Sequence, residues 1–158
     1  MALVVRPAAA GDVDVIRELS ERAFSTVRHI YRPNARALEN RSRLALECLI
    51  AFGDGVPAGV VQWAFEDDTL RVIGLAVLPE QRRRGIARGF VERLSHMASE
   101  RGCRALALHT VVQTGNVAVF ERLGFQVIEE RPDAYSVSPN GEPLTEAYME
   151  RACTRPVT

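Results

Sequence analysis

The side chains best suited to ligand binding in this sequence surround Gly85. Arg82, Arg83 and Arg84 precede this glycine, and Arg88 follows it. Guanidinium groups form paired hydrogen bonds with phosphate and carboxylate oxygens, and glycine lets a ligand approach the backbone closely. The pattern therefore predicts an anion site that would suit a pyrophosphate. The alternative interpretation is a solvated arginine surface in which Gly85 forms an ordinary turn.

The elements on either side of this loop place Gly85 at the start of a helix. The run Val72–Leu78 is short and mostly apolar, as is typical of a buried strand, and Pro79 ends it because proline lacks a donor. Large apolar residues then recur with helical spacing until Gly102. They are Ile86, Phe90, Leu94 and Met97. The first amides of a helix have no partner within it and carry partial positive charge, so this end favours an anion.

Length and composition favour one soluble α/β domain over residues 1–158. Basic and acidic residues both number 20, so neither a nucleic acid nor a membrane is expected as a partner. The alternative is that the arginine cluster binds the phosphates of a nucleic acid, and the affinity for that nucleic acid would then depend on the salt concentration. Three cysteines without a C-x-x-C pair predict neither disulfides nor a metal site, and they favour the cytoplasm.

The sequence before the arginine loop predicts a strand, a helix and a set of antiparallel strands. Leu3–Arg6 is a short strand, and Gly11-Asp12 offers an N-cap for the helix that follows. Two apolar runs around a glycine-rich turn, Leu44–Phe52 and Val56–Phe65, predict a hairpin. A further antiparallel strand begins near Leu70 and leads into the loop.

The sequence after the loop predicts one parallel strand pair and a C-terminal hairpin. Ala105–Leu108 is reached from the preceding strand through a helix, which makes the two strands parallel. Asn116 is the expected N-cap of a short helix that ends at Gly124. Strands at Phe125–Ile128 and Leu144–Ala152 follow, and exposed edge strands here would allow two copies to form a homodimer.

Two segments of the chain resemble the GNAT N-acetyltransferases. The pattern R-x-x-G-x-A at Arg82, Gly85 and Ala87, after a strand ending in Val-x-Pro, is similar to the acyl-coenzyme A loop of that family. The segment Gly115–Phe125 is similar to its closing helix and following strand. The resemblance implies a GNAT-like mixed, mostly antiparallel central sheet with a splayed parallel strand pair and helices on both faces.

The resemblance also implies an N-acetyltransferase that uses acetyl-coenzyme A as co-substrate and no metal. In that family pantetheine lies between the splayed strands, and the arginine loop holds the pyrophosphate. A splayed strand leaves backbone groups that a pantetheine amide can satisfy. The positions that match the family's cofactor site are Leu75, Ala76, Val77, Arg82, Arg83, Arg84, Gly85, Ile86, Ala87, Arg88, Asn116 and Phe120.

Two departures from the family pattern bear on the chemistry. Phe120 stands where a tyrosine often protonates the departing thiolate, and a phenyl ring cannot donate a proton. Arg71 stands roughly where some members have a strand glutamate. His109, with an ordinary pKa near 6.5, and Glu66, at a hairpin tip, are the candidate catalytic bases. A purely structural histidine is the alternative for His109, and a non-catalytic acyl-coenzyme A binding or sensing module is the alternative function.

The acceptor, a small-molecule or peptide amine that attacks the thioester directly, would meet the least regular part of the chain. The polar segment Phe24–Asn40 carries His29, Tyr31 and Arg32, and such segments often border a cleft, although an exposed surface is equally consistent with the pattern. Tyr135 and Tyr148 are further phenols that could act as acids or simply pack. Backbone amides near Val77–Leu78 would polarise the acetyl carbonyl.

Overall fold

The computed structural model describes residues 2–42, 44 and 46–153. The strands are β1 (Leu3–Pro7), β2 (Arg32–Pro33), β3 (Glu47–Gly53), β4 (Val56–Glu66), β5 (Thr69–Val77), β6 (Ala105–Val111), β7 (Gln126–Pro132), β8 (Ser136–Val137) and β9 (Thr145–Ala152). The helices are α1 (Val13–Phe24), α2 (Ala35–Ser42), α3 (Ile86–Glu100) and α4 (Asn116–Arg122). Short 3-10 turns precede α1, α3 and α4.

A mixed sheet carries the fold. Its strands lie in the order β1-β3-β4-β5-β6-β9-β7, and β2 pairs separately with β8. Within the large sheet β5 and β6 are parallel, and the other neighbours are antiparallel. Helix α3 forms the crossover that a parallel pair requires. The predicted antiparallel strands before the loop and the predicted parallel pair are confirmed.

Helices cover both faces of the sheet, as predicted. Alternate residues of β3 and β4 point to opposite faces, so Leu49 and Val61 pack in the cluster that contains α3, whereas Ile50 and Val60 pack in the cluster that contains α1. Helix α3 buries its predicted apolar stripe in the first cluster, except that Met97 is only partly buried. None of the helices in the described ranges combines the length and apolar character that crossing a bilayer requires.

Gly59 on β4 lets α3 approach the sheet closely. A Cβ atom at this position would lie 2.9 Å from the Ala76 carbonyl oxygen, 3.2 Å from Ile86 Cγ2 and 3.3 Å from Phe90 Cε2. Such distances are too short for an unstrained contact, so only glycine fits without displacement of a neighbour. This packing fixes the first turn of α3 against β4 and β5.

One predicted helix cap differs from the structure. Asn116 is the first residue of α4, and the N-cap is Gly115, because the preceding 3-10 turn ends in a left-handed residue with φ of 80°. Asp12 is the N-cap residue of α1, as predicted. Its carboxylate makes no hydrogen bond to the helix, because it accepts hydrogen bonds from the Ala9 amide at 2.7 Å and from Arg6 at 2.8 Å.

Two predicted strands also differ in their bounds. The strand predicted at Leu44–Phe52 begins only at Glu47, after a bend at Leu44, and its residue Ala45 lies outside the described residues. The strand predicted at Phe125–Ile128 extends as far as Pro132, because it continues to pair with β9 beyond a shift in register.

Candidate active site

The parallel strands β5 and β6 pair at one end only. Thr69–Arg71 pairs with Ala105–Ala107, and both strands then continue without pairing to each other. At the same point β5 bulges against β4, because Gln62 pairs with Gly74 while Trp63 pairs with Val72. A bulge bends the strand that carries it. The strands therefore part, as predicted, and backbone groups of β5 on that side have no partner in β6 beyond Arg71.

A cavity of about 720 Å³ opens at this gap. Its volume falls within the range of roughly 300–1,000 Å³ that is usual for small-molecule sites. The parted strands contribute Ile73, Gly74, Leu75, His109, Thr110 and Val111, and α4 contributes Asn116 and Phe120. The remaining lining comes from α1, α2 and their connection, from the β7–β8 region and from β9. Leu75, Asn116 and Phe120 are thus placed together, as the sequence predicts for one site.

The arginine loop has a backbone that leaves its helix start open. Arg83 and Gly85 both adopt left-handed conformations, with φ of 64° and 80°, and Gly85 is the N-cap of α3. The Gly89 amide donates the first hydrogen bond of the helix to the Gly85 carbonyl at 2.9 Å, so the preceding amides have no acceptor within the helix. A Cβ atom at Gly85 would meet nothing within 4 Å. An anion could therefore reach these amides.

The loop also adjoins the end of β5. Arg82 Nε donates to the Val77 carbonyl at 3.4 Å, and Arg88 Nη2 donates to the Arg122 carbonyl at 3.3 Å at the end of α4. The predicted arginines Arg82, Arg83, Arg84 and Arg88 are all exposed. Fixed amides and exposed guanidinium groups together provide the donors that a diphosphate needs.

The other predicted cofactor positions present mainly their backbone. The side chains of Ala76 and Ile86 are buried in the two core clusters, and those of Val77 and Ala87 are partly buried against the core. A ligand in the gap would therefore contact the main chain at these positions.

His109 and Glu146 are two titratable side chains that face each other in the cavity wall. His109 Nε2 lies 3.6 Å from Glu146 Oε1, and the two side chains are 26% and 9% exposed. Burial, followed by the nearby positive charges of Arg71 and Arg131, lowers the pKa of His109 to about 4. Its Nδ1 atom is buried and has no hydrogen-bond partner among the described residues. The imidazole is therefore neutral at pH 7.

Glu146 was not predicted from the sequence as a site residue. Burial raises the pKa of its carboxyl group, and the charge of Arg131 opposes the shift. Arg131 Nε lies 3.7 Å from Glu146 Oε2, a distance that gives an ion pair but not a hydrogen bond. The alternation of β9 places Glu146, Tyr148 and Glu150 on one face. Nothing in the sequence shows which of the three reaches the cavity.

Glu66, the second predicted base, is not among the residues that line the cavity. Its carboxylate pairs with Arg71 Nη1 at 3.3 Å, and Arg71 does line the cavity. The catalytic role of Glu66 stays a prediction. Phe120 lines the cavity and packs edge-on against Phe125, with ring centroids 5.8 Å apart.

The predicted acceptor segment contributes some of its named residues and not others. Tyr31 lines the cavity, whereas His29 and Arg32 do not belong to its wall. Tyr135 lines it too. Tyr148 instead stacks against His109, with ring centroids 5.0 Å apart, and its hydroxyl donates to Glu150 at 2.5 Å.

The backbone amides near Val77–Leu78 are predicted to polarise the acetyl carbonyl, but one of them already donates a hydrogen bond within the protein. Leu78 N–H donates to the Ala58 carbonyl at 3.0 Å. The prediction is wrong for Leu78, because this amide already serves the connection between β4 and the turn after β5.

The parted strands and the open helix start at Gly85 have the arrangement that the resemblance to acetyltransferases implies. A sequence model described as the acetyltransferase (GNAT) family matches residues 13–125. This span covers the arginine loop, the gap and α4. The chain therefore belongs to the GNAT acetyltransferase family. A search of curated proteins gives no match.

Solved structures share the whole fold at low sequence identity. The Escherichia coli ribosomal-protein-S18-alanine N-acetyltransferase is 18% identical, with a TM-score of 0.77, over 99% of this chain and 97% of that chain. Nourseothricin acetyltransferase is 21% identical, with a TM-score of 0.72, over 98% and 100%. The yncA protein of Salmonella typhimurium, solved with its cofactor acetyl-CoA, is 19% identical, with a TM-score of 0.73, over 100% and 98%. At these identities the likeness concerns the fold alone.

Proposed function

We propose that this protein transfers the acetyl group of acetyl-coenzyme A to a primary amine by direct attack within a ternary complex. The observation that carries the proposal is the gap beyond Arg71 and Ala107, where β5 and β6 no longer pair. Unpaired backbone groups of β5 suit the amides of pantetheine, as in strand addition. The contact between Arg82 and Val77 brings the anion site to the end of the same strand, so one extended molecule can reach both.

The residues that would hold acetyl-coenzyme A fall into two groups. Arg82, Arg83, Arg84 and Arg88, together with the amides that follow Gly85, would bind the pyrophosphate. The main chain of Leu75–Val77 would pair with pantetheine, while Asn116 and Phe120 border the cavity where the thioester would lie. The acetyl-CoA bound to the Salmonella protein of the same fold supports this choice of donor.

Glu146 is the base that the geometry favours. An amine must lose its proton before it attacks, and a carboxylate with a raised pKa accepts a proton more readily than an ordinary one. His109 is neutral, with a pKa of about 4, and a group so reluctant to accept a proton is the weaker base. Neutral His109 adds no positive charge beside Glu146. The carboxylate lies 3.7 Å from Arg131 Nε, too far for a hydrogen bond, so it can still accept the proton of the acceptor ammonium, directly or through water.

The departing thiolate does not need a strong acid. The side chain at position 120 is a phenyl ring and cannot donate a proton, and the thiol of coenzyme A is acidic enough to leave as thiolate. The rate would then depend largely on how well the cavity aligns the amine with the thioester. The hydroxyls of Tyr31 and Tyr135, which line the same cavity, are available to interact with the leaving group.

The second candidate function is a non-catalytic acyl-coenzyme A binding or sensing module, which Phe120 favours. The two functions are separated by measuring thiol release from acetyl-coenzyme A with a panel of primary amines, alongside calorimetric titration of the same compound. Acetylated product, identified by its mass, supports the enzyme. Saturable binding with no product from any amine would support the module instead.

We further propose that the protein is a cytoplasmic enzyme of one domain and that it forms a homodimer. The thiols of Cys48, Cys103 and Cys153 are free, which agrees with a reducing compartment. Strand β7 lies at an edge of the sheet. Val127 is 37% exposed and Ile128 is 56% exposed there, so a second copy could pair with this strand. Light scattering on the purified protein gives the number of copies, and a monomeric mass would contradict the dimer.

A further inference from the structure

Arg41 faces the cavity without a carboxylate partner. It lies near the end of α2, is partly buried and lines the cavity wall. Its Nη2 atom donates to the side-chain oxygen of Gln62 and lies 3.3 Å from the position that a Cβ atom on Gly74 would occupy. Among the described residues, no acidic side chain lies within ion-pair distance of Arg41.

This arrangement leaves a charge only partly compensated. Burial lowers the pKa of Arg41, which shows that the protein around it disfavours the cation. A guanidinium has five N–H donors, and a single neutral amide oxygen satisfies few of them. A partly buried cation in this state is stabilised by an anion supplied from outside the protein.

A second arginine reinforces the charge on the same side of the cavity. Arg28 lines the wall beside Tyr31, and it too takes no part in an ion pair within the described ranges. The positive charges of both arginines lower the pKa of the Tyr31 hydroxyl, but burial raises it by more. We call Arg28 and Arg41 the cationic wall.

Acidic side chains also line the cavity. They are Glu21 of α1, Asp133 after β7 and Glu146 of β9, and Asp133 is near enough to Tyr31 to raise the pKa of its hydroxyl. The arginines nearest to the parted strands are already paired, since Arg71 faces Glu66 and Arg131 faces Glu146. The cationic wall is therefore the part of the cavity that has positive charge to offer a ligand.

We propose that the acceptor is an α-amino acid, whose carboxylate binds Arg41 while its amine faces Glu146. The inference rests on the proposed function and names its substrate class. A cavity that offers both an unpaired guanidinium at Arg41 and a buried carboxylate at Glu146 complements a zwitterion. Gly74 is next to Leu75 in β5, and a strand advances by about 3.3 Å per residue. A carboxylate at Arg41 would thus lie beside β5, next to the part of the strand that borders the gap.

The position of Gly74 supports a dedicated carboxylate site. Without a side chain, Gly74 leaves room for the guanidinium to lie against β5, and Gln62 on the neighbouring strand orients it. A protein N-terminus or a simple amine lacks the free carboxylate that this site would bind. Such acceptors would leave Arg41 without an anionic partner.

The test compares matched acceptors with one another in an assay that uses the protein of residues 1–158. Each α-amino acid in a panel is assayed beside its carboxamide and its decarboxylated amine, with thiol release from acetyl-coenzyme A as the readout. We expect kcat/KM to be roughly 10–100-fold higher for the acids, because hydrogen bonds to charged groups contribute strongly to binding. Arg41→Met should remove this preference and leave the neutral amines unchanged.

Three further variants control the test. Arg17→Met removes an exposed arginine of α1 that does not line the cavity and should change nothing. Arg41→Lys keeps the charge and should keep part of the preference. Gly74→Ala should weaken the preference without removing any charge, because the new Cβ would displace the Arg41 guanidinium; it gives a second test if Arg41→Met fails to fold.

The outcomes separate this inference from the proposed function. Equal rates for acids, carboxamides and amines, or an equal loss for all three in Arg41→Met, would overturn the α-amino acid acceptor and leave the acetyltransferase standing. A protein that binds acetyl-coenzyme A but acetylates nothing in the panel would overturn both.

Discussion

His109 Nε2 and Glu146 Oε1 lie 3.6 Å apart in the wall of the cavity, and both side chains are largely withdrawn from solvent. The two groups respond oppositely to burial, which lowers the pKa of the imidazole to about 4 and raises the pKa of the carboxyl group. In each case burial favours the uncharged form. The pair therefore carries at most the single negative charge of Glu146 at neutral pH.

His109 should make the folded protein sensitive to acid. Between pH 6.5 and about 4 the unfolded chain protonates this histidine while the folded chain does not, so the free energy of unfolding falls as the pH is lowered. The loss is about 3 kcal/mol at most. Glu146 opposes it, because its raised pKa makes the folded state bind a proton earlier. Urea unfolding of wild type and His109→Gln across this range measures the difference, with His96→Gln as an exposed control. Equal slopes in wild type and His109→Gln would contradict the prediction.

Glu146→Gln should lower kcat by roughly 100-fold, as is usual when a general base is removed. The wild-type rate should fall as the pH drops through the raised pKa of Glu146, and the variant should lack this dependence. Calorimetry should give an unchanged affinity for acetyl-coenzyme A. Glu130→Gln, at an exposed position of β7, is the matched control. A wild-type pH profile in Glu146→Gln would exclude Glu146 as the base.

Gly85→Val should abolish binding of acetyl-coenzyme A while the fold survives. The open space in front of Gly85 would be filled by the new side chain, and the left-handed backbone would add about 1–2 kcal/mol of strain. Gly55→Val is the matched control. Gly55 has the same φ of 80° and equally open surroundings, but it lies in the turn between β3 and β4. Both variants should lose similar stability in thermal unfolding, and Gly55→Val should bind normally. Normal binding by Gly85→Val would refute the loop assignment.

Phe120→Tyr should leave kcat at pH 7 within a factor of about three, since the thiolate is proposed to leave without a strong acid. The new hydroxyl would stand at the edge of the cavity, because Phe120 already lines it. Thiol release under saturating substrates measures the effect. A tenfold increase would show instead that protonation of the leaving group limits the wild-type rate.

Gly59→Ala should destabilise the protein by roughly 1–3 kcal/mol, the usual cost of overpacking. The added carbon would press on the Ala76 carbonyl and on two side chains of α3. Gly89→Ala provides the contrast, because its new carbon would meet only Leu3 at 3.7 Å, and alanine stabilises a helix interior by about 0.5–1 kcal/mol. Denaturant midpoints of the two variants should therefore move in opposite directions.

Features encoded within a short stretch could be predicted from the sequence. The arginine loop, the start of α3 and the parallel pair around it each depend on a glycine, a proline or an apolar spacing close by in the chain. The cap at Asn116 was mispredicted, because the N-cap of α4 is Gly115. Asp12 is the N-cap residue of α1, but its carboxylate bonds to Arg6 instead of to the helix, which the sequence pattern does not show.

The residues that give the cavity its charges could not be predicted in the same way. Glu146 meets His109 through the register of β6 against β9, which pairs Val111 with Glu146. The Arg41 side chain reaches Gly74 and Gln62 from α2, two residues that lie far from it in the chain. Both relationships join residues distant in the chain, and their surroundings in the sequence resemble those of ordinary exposed residues.

Strands β5 and β6 pair over a short stretch only, and we call the line along which they part the seam of the sheet. In the part of the chain that the structure describes, the strand pairing between the sheet's two halves is limited to Thr69–Arg71 with Ala105–Ala107, and the Arg104 amide donates to the Asp68 carbonyl just before it. Beyond this point the strands are held together by side-chain packing and by α3. A donor molecule lying in the seam would act as an additional strand and tie the halves to each other. Occupancy by the donor would then complete the wall against which the acceptor binds, which favours a sequence of events in which the donor enters first.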